Sequence, residues 1–208
     1  MKSTMSTNLV GRSSQRNRRC CGIPIEISAR HVHLSKEDFE KLFGKNQILN
    51  PLKGLSQPGE FASDKFVEII NEDKKIESVR ILGPFRKSSQ AEISITDAYH
   101  LKLNPMPKIK VSGDLANTTN ILIKNKSNSV KVPCIIAQRH LHLSENEAKK
   151  LKLKNNQTVS MKVEGMRKLI FKEIIVRVSD KYKSALHLDT DEGNSAGIFG
   201  QTFGEIVK

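Results

Sequence analysis

Apolar and polar side chains alternate along most of the chain after residue 22. Successive side chains of a strand point to opposite faces of a sheet, so this alternation predicts half-buried β-strands. Glycine, proline, asparagine and aspartate separate the alternating segments, as expected for turns between short strands. The pattern predicts strands at residues 23–28, 66–70, 78–82, 91–95, 108–111, 121–124, 130–137, 158–163 and 169–178. Short strands at this spacing favour a mainly β fold built from small barrels.

Two short helices are expected beside these strands. Ser35 precedes a helical pattern of apolar residues, with Asp38 three positions later, and Gly44 follows the pattern. A hydroxyl at the N-cap and an acid at the third helical position satisfy free backbone N–H groups, and glycine commonly ends a helix. Ser144 and Glu147 repeat the same spacing. We therefore expect short capping helices after residues 35 and 144.

The two helix starts belong to an internal repeat. Residues 29–35 and 138–144 share the motif Arg-His-x-His-Leu-Ser, and each copy follows a predicted strand. A repeat of this kind predicts two related structural units. A Gly-Asp turn near residues 112–115 is the expected division, which gives a first barrel over 23–113 and a second over 114–208. The repeat also allows strands to be exchanged between the barrels.

The composition limits the classes of partner that we expect this protein to bind. The 208 residues contain 35 Lys+Arg and 22 Asp+Glu, a formal net charge of +13. This excess predicts an anionic partner: nucleic acid, an anionic membrane or a phosphorylated small molecule. Aromatic residues make up only 5%, and the basic-aromatic motif of an RNA-reading sheet is missing, which argues against nucleic acid. No apolar run approaches the roughly 18 residues of a membrane-spanning helix, so membrane insertion is not expected either.

The first 22 residues differ in composition from the rest. They contain five basic residues, no acidic ones and few apolar side chains, so we expect a flexible basic extension. An organellar presequence and a microcompartment-encapsulation peptide are the alternatives, although the amphipathic stripe of an encapsulation helix is missing. The cysteines, Cys20, Cys21 and Cys134, form no disulfide framework, which favours a reducing, cytoplasmic location. Cys134 lies in an apolar run and is expected to be a buried, inert thiol.

Four of the six histidines form two His-x-His pairs, His31/His33 and His140/His142. Residues i and i+2 of a strand face the same side, so both imidazoles of a pair can reach one metal ion. One such pair arises easily by chance, but two copies in the same context indicate metal binding. Imidazole ligands suit zinc, copper, iron and nickel, and zinc is the default for a transfer or hydrolytic enzyme.

Each pair needs a third protein ligand, because a catalytic zinc usually has three and keeps one position open. The candidates are His187 and Glu92, the latter a carboxylate in a predicted strand that otherwise alternates apolar residues. A solvent-facing strand position is the alternative for Glu92. His100 has no comparable context and is expected at the surface.

Longer motifs make the sequence similar to one enzyme family. The blocks Ser-Ala-Arg-His-Val-His-Leu-Ser, Leu-Gly-Pro-x-Arg-Lys-x-x-Gln-x-Glu-Ile-Ser, Arg-His-x-His-Leu and His-x-Asp-Thr-Asp-Glu-x-Asn occur in this order between residues 23 and 200. In these blocks the chain resembles the propanediol-utilisation-type phosphate acyltransferases, the phosphate propanoyltransferases. The resemblance implies two β-barrel domains, a two-metal site, and reversible conversion of a short-chain acyl-coenzyme A and phosphate to an acyl phosphate and coenzyme A.

The resemblance also implies roles for individual residues. One zinc would be held by His31, His33 and Glu92, and the second by His140, His142 and His187. Arg86 would bind phosphate, because its planar guanidinium matches phosphate geometry. Contacts to coenzyme A would come from Ser28, Lys53, Arg80, Leu82 and Asn194.

The same resemblance implies propanoyl- or acetyl-coenzyme A as substrate, propanediol degradation as the pathway, a homodimer, and an acyl kinase acting in that pathway. Iron or cobalt are alternatives to zinc in this geometry. The sequence departs from the family pattern at Glu26, where a small residue is common, at Gln138, and in an extension that lacks the amphipathic character of microcompartment-targeted relatives. A metal-dependent thioester hydrolase using the same two-metal site is the alternative function.

Overall fold

A computed structural model describes residues 22–207, so the predicted basic extension over 1–22, with Cys20 and Cys21, lies outside the described residues apart from Gly22. The described residues form fourteen strands and four short helices. The strands are β1 (Ile23–Ser28), β2 (His31–His33), β3 (Pro51–Gly54), β4 (Phe61–Asn71), β5 (Lys74–Gly83), β6 (Gln90–Ile93), β7 (Ile109–Lys110), β8 (Thr119–Asn125), β9 (Asn128–Ala137), β10 (His140–Leu143), β11 (Thr158–Val163), β12 (Leu169–Val178), β13 (Ala185–Asp189) and β14 (Thr202–Val207). The helices are α1 (Lys36–Phe43), α2 (Ile95–His100), α3 (Glu145–Leu151) and α4 (Thr190–Ala196). Within this part of the chain, no helix has the length and apolar character needed to cross a membrane.

The first closed barrel consists of strands β2, β4, β5, β6, β8 and β9. Its ring runs β4-β5-β2-β6-β9-β8, and pairing of β8 with β4 closes it. The short strands β3 and β7 pair with β4 and β9 outside the ring. Alternate side chains, among them Val32, Ile69, Ile81 and Ile123, are fully buried and form one apolar core. Cys134 of β9 belongs to this core, as predicted, and burial raises the pKa of its thiol.

The second closed barrel has the ring β1-β13-β10-β12-β11-β14, which closes through pairing of β14 with β1. Its own apolar core is separate from the first and contains the fully buried side chains of Leu141, Met161, Val176 and Leu186. The prediction of a mainly β protein with two related small barrels and short helices is confirmed.

The chain crosses between the barrels twice, each time just before a His-x-His pair. β1 belongs to the second barrel, and after Ala29 and Arg30 the chain enters the first barrel at β2. β9 belongs to the first barrel, and after Gln138 and Arg139 the chain enters the second at β10. Because β1 pairs in parallel with β13, and β9 with β6, the two crossing strands occupy equivalent places in the two barrels.

Strand pairing divides the chain at a different place from the expected boundary near residues 112–115. The hairpin of β8 and β9 follows that point in sequence, yet it closes the first barrel by pairing with β4 and β6. The second barrel obtains its sixth strand from β1 instead. The exchange of a strand therefore moves the boundary to the segment that follows β9.

Both predicted helices begin as expected, and the first also ends at the predicted glycine. The Ser35 hydroxyl accepts a 3.1 Å hydrogen bond from the backbone N–H of Asp38, and Gly44 ends α1 with a φ of 96°. The Ser144 hydroxyl likewise accepts from the N–H of Glu147 at 3.3 Å, at the start of α3. These contacts confirm that the repeated Ser-x-x-acid spacing marks a helix start.

The predicted strands differ from the structure in length and number. β4 and β5 begin five and four residues earlier than predicted, and five strands are not among the nine predicted, namely β2, β3, β10, β13 and β14. β1, β11 and β12 have the predicted bounds. The strand predicted at 91–95 ends at Ile93 instead, because Ser94 caps α2. Helices α2 and α4 are absent from the sequence prediction, since their six and seven residues are too few to show a helical period, and α3, equally short, is predicted only because its start repeats that of α1. A capping box at the start of each helix is the signal that could have identified them.

Candidate active site

Strand register brings each His-x-His pair to its predicted third ligand. In the first barrel, His31 of β2 lies opposite Glu92 of β6. In the second barrel, His140 of β10 lies opposite His187 of β13, so a carboxylate in one barrel corresponds to an imidazole in the other. The result is two groups of three metal-ligating side chains, and the ligand atoms of each group lie within 4.8 Å of one another.

The first cluster contains the buried side chains of His31, His33 and Glu92. The Nε2 atoms of both histidines lie 3.7 Å from Oε1 of Glu92. Nδ1 of His31 is 2.8 Å from the backbone oxygen of Ala29, which orients the ring and leaves Nε2 facing the carboxylate. A carbonyl contact to one ring nitrogen commonly orients an imidazole whose other nitrogen binds a metal.

A polar layer holds the carboxylate of Glu92. The Ser112 hydroxyl donates to Oε1 of Glu92 at 2.6 Å, and the Gln90 amide donates to the same oxygen. Burial alone would raise the pKa of Glu92, but His31, His33 and the Ser112 hydrogen bond hold it well below its ordinary range. Glu92 is only 5% exposed and ionised, which excludes the solvent-facing alternative.

The second cluster contains the side chains of His140, His142 and His187. Nδ1 of His140 is 2.9 Å from the backbone oxygen of Gln138, which repeats the contact of His31 in the first barrel. The ring of His142 stacks on Tyr182, with 4.0 Å between the centroids. The repeated backbone contact shows that both copies of the motif orient their first histidine in the same way.

Unpaired ring nitrogens in the second cluster and ligand spacing in the first indicate that both clusters fit a metal ion. In the second cluster, Nε2 of His187 and both ring nitrogens of His142 are buried without a hydrogen-bond partner among residues 22–207. Buried polar atoms are normally paired, and coordination of a metal supplies the missing partner. A tetrahedral ion with bonds of about 2.1 Å places its ligand atoms about 3.4 Å apart. The 3.7 Å separations in the first cluster are close to this value.

Burial also favours the neutral imidazoles that bind metals. It lowers the pKa of His140 to about 4, and the neighbouring His187 adds to this effect. The pKa of His142 falls to about 2 and that of His187 to about 4, mainly through burial. Burial lowers the pKa of His33 as well. For His31 burial is the largest single effect, but the charge of Glu92 and the hydrogen bonds to Glu92 and Ala29 together outweigh it and raise the pKa. The second cluster is therefore neutral at pH 7, the protonation state of an imidazole ligand.

Both clusters line one cleft between the barrels, with a volume of about 450 Å³. The predicted phosphate-binding residue, Arg86, is part of its wall. Nη1 of Arg86 donates to the Ser112 hydroxyl at 2.7 Å and lies 3.9 Å from Oε1 of Glu92. Nη2 lies 3.7 Å from Glu60. A fixed guanidinium beside two groups of metal ligands forms a site suited to an anion.

A loop of the first barrel reaches the second barrel at this cleft. It joins β3 to β4 and includes Ser56 and the buried Gln57. The Gln57 amide donates to the backbone oxygen of Lys183 at 3.1 Å and accepts from its N–H at 3.3 Å. Ser56 donates to Oε2 of Glu26 in β1, and the same oxygen lies 3.8 Å from Nδ1 of His187. These contacts tie the two walls of the cleft together.

Three of the five residues expected to contact coenzyme A line the cleft, namely Ser28, Arg80 and Leu82. Nη1 of Arg80 is occupied by a 2.6 Å hydrogen bond to the backbone oxygen of Ser63. Lys53 and Asn194 are exposed and do not line the cleft. His100 is exposed, as predicted.

Sequence reasoning missed several residues that line the cleft or hold its ligands, namely Glu60, Gln90, Ser112, Arg177 and Tyr182. Gln90 could have been found, because it lies two residues before Glu92 and so shares its face of the strand. In the sequence, Ser112 is recognisable only as part of a predicted turn. Its position between Arg86 and Glu92 arises from the tertiary fold. Arg177 and Tyr182 lie in segments without a recognisable motif.

Comparison with known proteins points to one family. The family model described as phosphate propanoyltransferase matches residues 24–199. A protein named phosphate propanoyltransferase from Thermotoga maritima is 43% identical over 179 residues, which cover 84% of this chain and 84% of that protein. A protein of the same name from Alkaliphilus metalliredigens is 40% identical over 188 residues, 89% of this chain and 88% of that protein. Another from Listeria monocytogenes is 35% identical over 210 residues, 100% of this chain and 98% of that protein.

Proposed function

The chain belongs to the phosphate propanoyltransferase family, a family of acyltransferases, and we propose that it converts propanoyl-coenzyme A and phosphate reversibly to propanoyl phosphate and coenzyme A. Acetyl-coenzyme A is a second short-chain substrate in this proposal. The observation that supports it best is a fixed arginine, Arg86, in one cleft with two groups of metal-ligating side chains. Transfer of an acyl group to phosphate requires an anion site beside a centre that stabilises the oxyanion of the transition state.

In this mechanism Arg86 holds the attacking phosphate. Ser112 fixes the guanidinium beside Glu92, so a phosphate bound to Arg86 lies next to the first cluster. The two clusters would hold divalent metal ions, whose positive charge would polarise the thioester carbonyl and stabilise the developing oxyanion. The phosphate oxygen then attacks the carbonyl carbon directly and the coenzyme A thiolate leaves, without a covalent enzyme intermediate.

We further propose that the metal is zinc, with two ions per chain. The donor sets, two nitrogens with a carboxylate and three nitrogens, are those of three-ligand zinc sites with one open position. Iron or cobalt are the alternatives that elemental analysis of the purified protein distinguishes. A ratio near two per chain is the expected result.

The placement of coenzyme A is also a proposal. Leu82 presents an apolar side chain to the cleft and suits the acyl group or the pantetheine arm, while Ser28 and Arg80 supply polar contacts. The roles of Lys53 and Asn194 rest on the resemblance of their motifs alone. A homodimer in the cytoplasm, acting with an acyl kinase in propanediol degradation, completes the proposal, and light scattering of the purified protein measures the oligomeric state.

A metal-dependent thioester hydrolase remains the second candidate, because the same two clusters suit activation of water. Arg86 argues for transfer, since hydrolysis needs no fixed site for phosphate. Release of free thiol from propanoyl-coenzyme A is the measurement that separates the two functions. A transferase releases thiol only when phosphate is present, and removal of metal by a chelator abolishes the release. Thiol release that is independent of phosphate favours the hydrolase, and activity after complete metal removal contradicts the role of the clusters.

A further inference from the structure

Arg177 is one of four arginines that line the cleft, and it has no carboxylate partner. It lies on β12 in register with His142 of β10 and lines the cleft together with both clusters. Of the other three, Arg30 and Arg86 lie beside carboxylates, and Nη1 of Arg80 donates a hydrogen bond to the backbone oxygen of Ser63. Arg177 forms no ion pair within the part of the chain that the structure describes. Its guanidinium lies over the ring of Tyr182, 5.9 Å from the centroid, and a half-buried cation with this contact and no counter-charge favours binding of an anion.

The internal repeat shows that the barrel does not require this arginine. β12 pairs with β10 in parallel, as β5 pairs with β2, so the place of Arg177 beside His142 corresponds to that of Leu82 beside His33. The first barrel closes and assembles its cluster with an apolar side chain at that place. Closure of a barrel therefore does not account for an arginine at this place. At the two equivalent places the cleft is lined by Leu82 in the first barrel and by Arg177 in the second.

Arg86 and Arg177 line the same cleft, Arg86 from the segment between β5 and β6 of the first barrel and Arg177 from β12 of the second. Two cations that repel each other across a cleft are both stabilised when an anion lies between them. Glu92 and Glu60 already compensate Arg86, so such an anion would mainly compensate Arg177.

We propose that Arg177 is a second phosphate-binding residue, which holds from the second barrel the same phosphoryl group that Arg86 holds from the first. This inference rests on the proposed function and extends it. Its ligand is inorganic phosphate in one direction and the phosphoryl group of the acyl phosphate in the other. The phosphates of coenzyme A are not the ligand, because the pantetheine arm separates them from the thioester that reacts beside the clusters.

Steady-state kinetics with phosphate and propanoyl-coenzyme A varied separately test this role. In Arg177→Gln the KM for phosphate rises about tenfold or more, because the variant loses a charge-assisted hydrogen bond to phosphate. The KM for propanoyl-coenzyme A changes much less. Arg177→Lys keeps the charge without the planar fork and gives an intermediate KM for phosphate. Arg167→Gln, which removes an exposed arginine outside the cleft, controls for net charge and leaves both constants unchanged.

Two results overturn the inference while leaving the proposed function intact. One is an unchanged KM for phosphate in Arg177→Gln. The other is a rise in KM that is confined to propanoyl-coenzyme A and is absent when S-propanoyl-pantetheine is the substrate. That result would assign Arg177 to the coenzyme A phosphates. Circular dichroism shows whether each variant is folded, and Arg177→Lys replaces Arg177→Gln if the latter is not.

If the wild-type protein shows no phosphate-dependent thiol release, the proposed function fails, and direct binding tests Arg177 separately. Calorimetric titration of the metal-loaded protein with inorganic phosphate serves this purpose. Binding that weakens about tenfold or more in Arg177→Gln, but not in Arg167→Gln, supports the inference. Equal binding by the wild-type protein and Arg177→Gln, or no measurable binding by either, overturns it.

Discussion

The guanidinium of Arg86 is held in place by residues of its own barrel before any substrate binds. Ser112 accepts its hydrogen bond at 2.7 Å, and Glu60 and Glu92 lie beyond direct hydrogen-bond distance at 3.7 and 3.9 Å. The two carboxylates therefore offset the charge without occupying the whole donor fork. A donor group that is oriented in advance does not have to reorganise when phosphate binds, which favours catalysis.

Arg86→Lys tests the importance of the planar fork. Lysine keeps the charge but has no bidentate geometry, so the KM for phosphate should rise by about tenfold, with a smaller change for propanoyl-coenzyme A. Initial rates with each substrate varied in turn give both constants. Equal effects on the two substrates would contradict the assignment of Arg86 to phosphate.

The two clusters should bind metal independently, because each is complete within its own barrel. In His187→Ala, elemental analysis is expected to find about one metal per chain instead of about two, since a site with two remaining ligands binds weakly. His31→Ala is expected to give the same ratio by emptying the other cluster. His100→Ala removes an exposed histidine outside both clusters and keeps the wild-type ratio. Loss of both metals in either cluster variant would show that the two sites are coupled.

The histidines of the proposed metal sites could be recognised in the sequence because each His-x-His pair is local. Two imidazoles on one face of a strand need no tertiary information. The joining of His31 to Glu92 depends on the register of β2 and β6, which the sequence does not state. Ser112, Glu60 and Arg177 are single polar residues whose roles arise only when distant segments meet in the cleft.

The short helices α2 and α4 connect the metal-ligand strands to the repeated arginine. The third helical residue of α2, Asp97, closes a capping box with Ser94 and also accepts hydrogen bonds of 2.9 Å from Nε of Arg30. Glu192 does the same in α4, where it accepts from Nη1 of Arg139 at 2.9 Å. Each arginine directly precedes the first histidine of its motif. The arginine of Arg-His-x-His therefore ties the crossing segment to the helix that follows the third-ligand strand.

Removal of either arginine should weaken the fold to a similar extent. Arg30→Gln and Arg139→Gln each leave a carboxylate without its charged partner, so the free energy of unfolding should fall by about 1–3 kcal/mol. Lys168→Gln, which breaks an exposed ion pair with Glu164, is the matched control and should cost less than about 0.5 kcal/mol. Urea unfolding followed by circular dichroism measures all three. Losses no larger than the control would show that these contacts do not stabilise the protein.

At the scale of the whole molecule, the two crossings of the chain explain why one cleft contains both clusters. Each His-x-His pair begins where the chain passes from one barrel to the other, so both pairs lie where the barrels meet. The repeat predicted two related units, but the boundary between them could not be read from the sequence. Strand alternation shows which residues form β8 and β9, but not that this hairpin closes the first barrel.

The exchange of β1 makes the two barrels equivalent except in connectivity, and this equivalence predicts a circular permutant that folds. In the first barrel β8 and β9 are joined by the turn at residues 126–127, whereas their counterparts β14 and β1 pair at Gly204 and Ile23 without a covalent link. A linker of about five glycine and serine residues can join residue 207 to residue 22, because each residue spans up to about 3.5 Å. Opening the chain between Lys126 and Ser127 then leaves β8 and β9 paired without a covalent link, while the linker joins β14 to β1.

The permutant should show the same circular dichroism spectrum and phosphate-dependent thiol release as the linear protein of residues 22–207. Opening the chain within β12 is the control and should abolish folding, because it interrupts a barrel strand. Failure of the first permutant, with linear 22–207 folded, would show that the barrels are not interchangeable in this way.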